Sequence, residues 1–332
     1  MKPGSTLKAK QYTPEQNVTG WPWTEVKLPE TAGRAGIPWP KISLVTPNYN
    51  GDKFLEKTIR SVLLQGYPSL EYIIIDGGSS DGSVEIIKKY EQWITYWTSE
   101  KDRGQSDAIN KGFAHCTGEI ANWLCSDDIL LPGALFTVAE QFLQNPEIDV
   151  VAGQGRVIFE NEGGREMTGG TTAEMVDLIP VNNSVCQPAC FYRRELLMRR
   201  QPQIDESYHY AMDFELWAFF KSQGARWKVI DNVLCVALMS GSNKCSTGGM
   251  EIIEEQMRVY RTYVKETIPL TFWYRLLRMP LERFRLKHPG RLAYCIARPL
   301  QIAVVLLLGP FYGLKRVRAM SYSIGLVSER CS

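Results

Sequence analysis

The sequence predicts an α/β fold: a mostly parallel, Rossmann-like central sheet flanked by helices, continued by a helical and basic C-terminal tail. Three observations predict it. Short β-rich runs, Ile42–Thr46, Tyr72–Ile75 and Ile120–Leu124, alternate with stretches whose apolar residues recur at helical spacing. The connections are short, which favours right-handed parallel crossovers. All three runs also end in polar, turn-forming residues. In a parallel sheet Thr46–Asn50, Asp76–Asp81 and Ser126–Asp128 then share the carboxyl edge, where open α/β sheets bind ligands.

Residues 1–40 are expected to be an irregular lead, rich in Pro, Gly and Trp, whose tryptophans pack on the core. Met1–Lys10 lacks the apolar core of a signal peptide. After the first strand Pro47–Gly51 breaks the chain. A helix follows, with Asp52 as N-cap, Gly66 as stop, and Leu55, Ile59, Val62 and Leu63 on one face. The second strand ends at Asp76, and Gly77–Gly82 is a polar loop. Ser83 caps a helix carrying Ile86, Tyr90 and Trp93. A short third strand, Tyr96–Thr98, leads through Glu100–Gly104 to a helix over about Ser106–His115. The run Ile120–Leu124 ends in Cys125, Ser126, Asp127 and Asp128, and Pro132 is placed to open a helix reaching about Leu143. Further on, Val150–Phe159 reads as a strand, Glu162–Gly170 as a Gly-rich loop and Cys190–Tyr192 as a strand. Asp213–Trp217 opens a helix, Trp227–Leu238 is a strand, and Met250–Val264 is an amphipathic helix. The expected division is a lead over 1–40, a main domain over 41–245 with halves at 41–148 and 149–245, and a tail over 246–332.

Composition narrows the chemistry. A net charge of +2 gives no global attraction to nucleic acid. The eight cysteines contain no Cys-x-x-Cys, so free thiols in a reducing compartment are the simplest account. With His115, His209 and His288 the only histidines, acid–base work falls to carboxylates. Gly77–Gly82 lacks the dinucleotide-binding spacing and follows the second strand, and no Walker sequence is present. In the tail, Arg275, Arg278, Arg283, Arg285, Lys287, Arg291, Arg298, Lys315, Arg316 and Arg318 face Glu282 alone. Pro299–Leu314 is uncharged, and the ~20 apolar residues of a bilayer span are reached only by including Arg298 and Pro299. The reading favoured is an interfacial segment on an anionic membrane surface; a buried C-terminal helix with a basic outer face and a full span are the alternatives.

Asp127-Asp128 has two readings: a solvated loop capping the next helix, or a site for a hard cation, Mg²⁺ or Mn²⁺, bridging to a diphosphate. Convergence with Thr46–Asn50 and Asp76 on one sheet edge favours the cation. Four stretches together resemble glycosyltransferase family 2, inverting enzymes of the GT-A fold. They are Leu44–Asn50, Ile73–Ser83, Ser99–Gly112 and Cys125–Asp128; a fainter match runs through Gln187-Pro188 and Ala211–Trp217.

The resemblance implies roles. Thr46, Pro47 and Tyr49 would shape the nucleotide-base pocket, Asp76 would accept a hydrogen bond from the base, and Asp127 would lie near the ribose. Asp128 would hold the divalent metal. Asp107 and Asn110 would lie on the donor side, and Asp213 would be the catalytic base, with an N-cap role for Asp213 and Glu215 as base the alternatives. Residue 125, commonly Asn in the family, is Cys here and is not expected to be a ligand. Arg193 and Arg194 are either a solvated face or diphosphate contacts. The implied partners are a nucleotide-diphosphate sugar donor and a glycan or lipid-linked acceptor, with residues 41–148 the nucleotide-sugar half and 149–245 the acceptor half. The implied setting is cytoplasmic, peripheral at the inner face of the membrane, in cell-surface polysaccharide or glycolipid synthesis. A non-catalytic nucleotide-sugar or membrane-surface binding module is the rival reading. A nucleotidyltransferase is weaker, for lack of a Gly-rich basic loop after the first strand.

Overall fold

The computed structural model describes residues 20–23, 38–159, 164–183, 185–239, 244, 248–288 and 290–320. The chain forms two compact units, one of 1–171, 186–206 and 225–238, the other of 172–185, 207–224 and 239–332.

The first unit is built on one twisted sheet. Its strands are β1 (Ile42–Asn48), β2 (Leu70–Asp76), β3 (Tyr96–Ser99), β4 (Ile120–Trp123), β5 (Ile129–Leu130), β6 (Val150–Phe159), β7 (Arg165–Gly170), β8 (Cys190–Arg193) and β9 (Trp227–Met239). They lie in the order β3-β2-β1-β4-β8-β6-β9-β5, with β7 paired to β6. The first four strands are parallel, and β8 and β6 extend the sheet in antiparallel fashion. Every residue of β1 is buried, as a central parallel strand covered on both faces must be. Helices α1 (Asp52–Leu63), α2 (Ser83–Tyr90), α3 (Gln105–Ala114) and α4 (Ala134–Gln144) follow β1, β2, β3 and β5. Gly112 lets α3 approach the sheet: a Cβ there would sit 2.3 Å from Val45 Cγ1.

Register does the work that matters for the site. Asn48 of β1 lies opposite Asp76 of β2, and Asp76 lies opposite Ser99 of β3. One row of polar residues therefore crosses the ends of three parallel strands. The described part of the lead packs on this unit as expected. Trp21 Nε1 donates to Leu130 O at 2.8 Å, and Trp39 stacks edge-on against Tyr67 and Phe136. The buried Arg60 guanidinium lies over the Trp23 ring and donates to Pro22 O and Tyr90 Oη.

Some local expectations fail for identifiable reasons. Arg165–Gly170 is a strand, because its backbone pairs with β6 despite the glycines. Asp52 is the first residue of α1 rather than its cap; its amide instead donates to Asp81. Ser83 likewise begins α2, and its amide donates to Asp81 Oδ1. The helix after Pro132 starts at Ala134, preceded by left-handed Gly133, because β5 first pairs with β9.

The second unit is mainly helical in its described residues. Met212–Ser222 and Gly249–Tyr263 pack together, and Glu255 accepts from the amides of His209, Tyr210 and Ala211 at the start of Met212–Ser222. A helical rod over 270–287, with a π-helical turn at Tyr274–Arg278, precedes the long helix Arg291–Tyr312.

Candidate active site

The strand ends assemble two polar clusters in the first unit. In the first, Asp76 is fully buried and accepts from four donors. Asn48 Nδ2 and Ser79 Oγ reach Oδ1 at 2.7 and 2.5 Å; the Ser79 amide and Ser99 Oγ reach Oδ2 at 2.9 and 2.6 Å. Burial pushes the carboxyl pKa up, but the hydrogen bonds from Ser79, Ser99 and Asn48 outweigh it and hold it below the ordinary range. Because Asp76 can only accept, the Asn48 amide is fixed in orientation. Its Oδ1 then has no hydrogen-bond partner among the described residues, although it is buried.

Removing the Asp76 carboxylate strands these donors. Asp76→Ala is expected to cost about 2–4 kcal/mol of stability in urea unfolding at pH 7. Since the folded pKa is depressed, this stabilisation is present above the unfolded carboxylate pKa and is lost as pH falls through the folded one. Equal unfolding midpoints for the variant and wild type at pH 7 would refute it.

The second cluster lies just beyond β4. The ligand atoms of Cys125, Asp127 and Asp128 all fall within 4.8 Å of one another. Helix α1 pins this turn from below, as Thr58 Oγ1 donates to Ser126 O at 2.8 Å and to Asp128 O at 2.7 Å. Asp128 is only 8% exposed. Burial first, then the adjacent Asp127, then Cys186 push its pKa well above the carboxylate range, opposed by the Leu238 amide. The two adjacent carboxylates, one of them buried, are hard oxygen donors that suit Mg²⁺ or Mn²⁺, so they fit the group, and the thiol beside them adds a soft donor. Cys125, not expected as a ligand, lies within this cluster; its Sγ also accepts from Gln105 Nε2 at 3.2 Å. The two clusters meet at Gly51, where a Cβ would sit 2.2 Å from Asn48 Oδ1 and 3.0 Å from Ser126 Oγ.

The other singled-out residues divide. Tyr49 is 67% exposed at the strand end, whereas Thr46 and Pro47 are buried and Thr46 Oγ1 pairs with Tyr72 Oη at 3.1 Å. Asp107 bonds the Arg103 amide and side chain and lies near Lys111. Asn110 exchanges two hydrogen bonds with the Ile204 backbone, at 2.9 and 2.8 Å. Arg193 and Arg194 are neither a free face nor aimed at the clusters: they donate to the carbonyls of Ile148, Pro146 and Gly118. Gln187 braces the end of β4 through Asn122 and Trp123. Asp213 belongs to the second unit, in the first turn of Met212–Ser222, where Ala211 rather than Asp213 is the N-cap. Burial raises its pKa to about 6, against hydrogen bonds from the Phe214 amide and Asn183. Glu215 is buried and bonded to Tyr263 Oη.

Residues 43–201 match the family model "Glycosyl transferase family 2". A glycosyltransferase of Nostoc sp. is 29% identical over 174 residues, 49% of this chain and 53% of the relative. The poly-beta-1,6-N-acetyl-D-glucosamine synthase of Staphylococcus epidermidis is 33% identical over 118 residues, 35% of this chain and 29% of the relative. This chain thus spans about half the length, or less, of these curated relatives. Among solved structures, S. aureus TarS residues 1–349 in complex with UDP-GlcNAc aligns with a TM-score of 0.55 at 19% identity, covering 87% of this chain and 90% of that one. The Pyrobaculum calidifontis mannosyltransferase PcManGT, in complex with GDP-Man and Mn²⁺, aligns with a TM-score of 0.55 at 15% identity, covering 89% and 90%. These likenesses show the fold.

Proposed function

Residues 43–201 form a glycosyltransferase family 2 domain with the GT-A fold, and from that premise we propose that this chain moves a sugar, with inversion, from a nucleotide-diphosphate sugar to a hydroxyl of a glycan or lipid-linked acceptor. The observation that carries the reading is the meeting, at one end of the parallel strands, of the Asn48–Asp76–Ser99 row with the Cys125–Asp127–Asp128 triad. The nucleotide and nucleotide-sugar complexes of the structural neighbours support the donor class. The setting proposed is the cytoplasm, at the inner face of the membrane, in cell-surface polysaccharide or glycolipid synthesis.

Each residue has a task in this reading. Tyr49 offers an exposed ring on which the base stacks, and Thr46 and Pro47 hold it from beneath. Asp76 meets a base imide when Ser99 or Ser79 rotates its hydroxyl away, since all its acceptor positions are otherwise filled. Asp107 and Asn110 position the donor side by securing Arg103 and the 204–206 loop. Asp127 takes a ribose hydroxyl. Asp128, with Cys125 beside it, would hold Mg²⁺ or Mn²⁺. That ion, when bound, supplies positive charge against the departing diphosphate. Asp213 receives the acceptor's proton as the new oxygen–carbon bond forms at the anomeric centre. The bond to the diphosphate breaks on the opposite face and its electron pair leaves with the nucleotide, so no protein nucleophile is needed.

A panel of nucleotide sugars, each with and without Mn²⁺, tests the reading by thermal unfolding followed by assay of nucleoside diphosphate release. A metal-dependent rise in Tm with one donor, and release of its diphosphate, is expected. Binding without release from any donor would instead support a binding module. The thiol in the triad makes a further prediction. Cys125→Asn is expected to weaken Cd²⁺ binding about tenfold while leaving Mg²⁺ binding within about twofold, read by calorimetry, because thiolates favour soft cations. Parallel changes for both ions would remove Cys125 from the ligand set.

A further inference from the structure

The helices at the end of the second unit bury a small ionic network within an otherwise apolar core and expose many large apolar side chains. Between the rod over 270–287 and the helix Arg291–Tyr312 lies a buried ionic network. Arg278 pairs with Glu282 at 2.8 Å, with the two side chains 2% and 0% exposed. Gln301 Nε2 reaches across from the second helix to Glu282 Oε1 at 2.7 Å. The inward stripe of that helix is Ala293, Ala297, Gln301, Val304 and Leu308, at helical spacing. The outward face is hydrocarbon. Leu292, Leu300, Leu306 and Phe311 are 77%, 49%, 64% and 79% exposed, and Phe272 and Leu276 of the rod are exposed as well.

In water this distribution runs the wrong way. Exposed apolar area on this scale marks an interaction surface. Burying an ion pair beneath it yields little stability in an aqueous protein. Against hydrocarbon the distribution is the favourable one, because polar groups must be satisfied inside. Charge selects the partner. Arg283, Lys287, Arg298 and Arg318 are exposed and have no ion pair among the described residues, and Glu282 is the sole acid over 270–320. The helix Arg291–Tyr312 has 22 residues, length enough for a bilayer at ~1.5 Å per residue. One side of it, however, is held against the unit by the stripe, and Arg298 and Pro299 lie within it.

We propose that this face docks flat on an anionic lipid bilayer, inserting Leu300, Leu306, Phe311, Phe272 and Leu276 at the level of the headgroups and upper acyl chains while the four free cations pair with lipid phosphates. This deepens the peripheral location proposed above. It is independent of sugar transfer, because vesicle binding is read without any donor.

The test is co-sedimentation of the full chain with phosphatidylcholine vesicles that do or do not contain phosphatidylglycerol. Wild type is expected to bind the anionic vesicles at least about tenfold more tightly, with affinity falling as salt rises. Leu306→Glu combined with Phe311→Glu is expected to abolish binding, with unchanged circular dichroism showing that the fold persists. Arg283→Gln, Lys287→Gln and Arg298→Gln together are expected to remove the preference for anionic lipid, and they keep the test open should the first variant misfold. Equal binding of wild type to both vesicle types would overturn the choice of partner. Failure to sediment, with a wild-type dimer in solution that Leu306→Glu dissociates, would assign the face to a second copy of the chain and overturn the proposal.

Discussion

Asp128→Asn is expected to lower sugar transfer by at least about 10³-fold while raising the Tm of the metal-free protein by a few degrees. The two effects share one cause. Asp128 is a buried carboxylate beside Asp127, with the Leu238 amide as its compensating donor. Its folded pKa is therefore raised. The sign follows: a raised acid pKa means the folded state holds the proton more tightly, so stability is greatest below the unfolded pKa and declines as pH rises toward the folded one. At pH 7 the wild type carries that penalty and the isosteric amide does not. A stabilisation of about 1–2 kcal/mol corresponds to a few degrees in a chain of this size. In the proposed reading a cation would reverse the penalty: the carboxylate that destabilises the metal-free fold would hold the ion, whose positive charge would offset the negative charge developing on the leaving diphosphate. Mn²⁺ should accordingly raise the Tm of wild type and leave that of Asp128→Asn unmoved. Full transfer activity in EDTA, or equal Mn²⁺ stabilisation of both proteins, would sink this account.

The same turn shows what the sequence makes legible. Alternating apolar runs and short connections suffice to place β1 to β4 in a parallel sheet, and their polar ends then have to share an edge. That logic needs no side-chain detail, and the parallel pairing of β1, β2 and β4 does put the ends of these strands on one edge. Details that depend on register were hidden. Asn48 and Ser99 flank Asp76 because β1, β2 and β3 end in step, and nothing in the local sequence states that offset. Cys125 lies beside the acid pair in the turn after β4, which is pinned by Thr58 of α1, and a pattern of residue types cannot reveal this. Glycines masked β7, whose order comes from pairing with β6 rather than from its own propensity. The tail was legible in composition but not in arrangement. Its basic and aliphatic content predicted a membrane surface, whereas the polar interior around Glu282 exists only once Gln301 packs across from the neighbouring helix.

Asp213→Asn is expected to reduce kcat by about 10²–10⁴-fold and to erase the acidic limb of the pH–rate profile. A general base must be ionised to accept the acceptor's proton. With its pKa raised by burial to about 6, Asp213 is largely ionised at neutral pH yet far more basic than an ordinary aspartate. The wild-type rate should therefore climb with pH to a plateau above about 6, the position set by Asp213. Stability should run the opposite way. The raised pKa makes the folded state more stable where Asp213 is protonated, and this advantage disappears as pH rises from the unfolded carboxylate value to about 6. Asp213→Asn should flatten stability across that window. This second readout separates a catalytic role from simple damage, since a variant that merely unfolds would lose activity and stability together at every pH. Glu215 is the internal control. It lies buried against Tyr263, so Glu215→Gln should impair packing without moving the acidic limb. If the limb survives in Asp213→Asn and vanishes in Glu215→Gln, the base is Glu215. If neither substitution touches it, proton transfer is not carried by this helix.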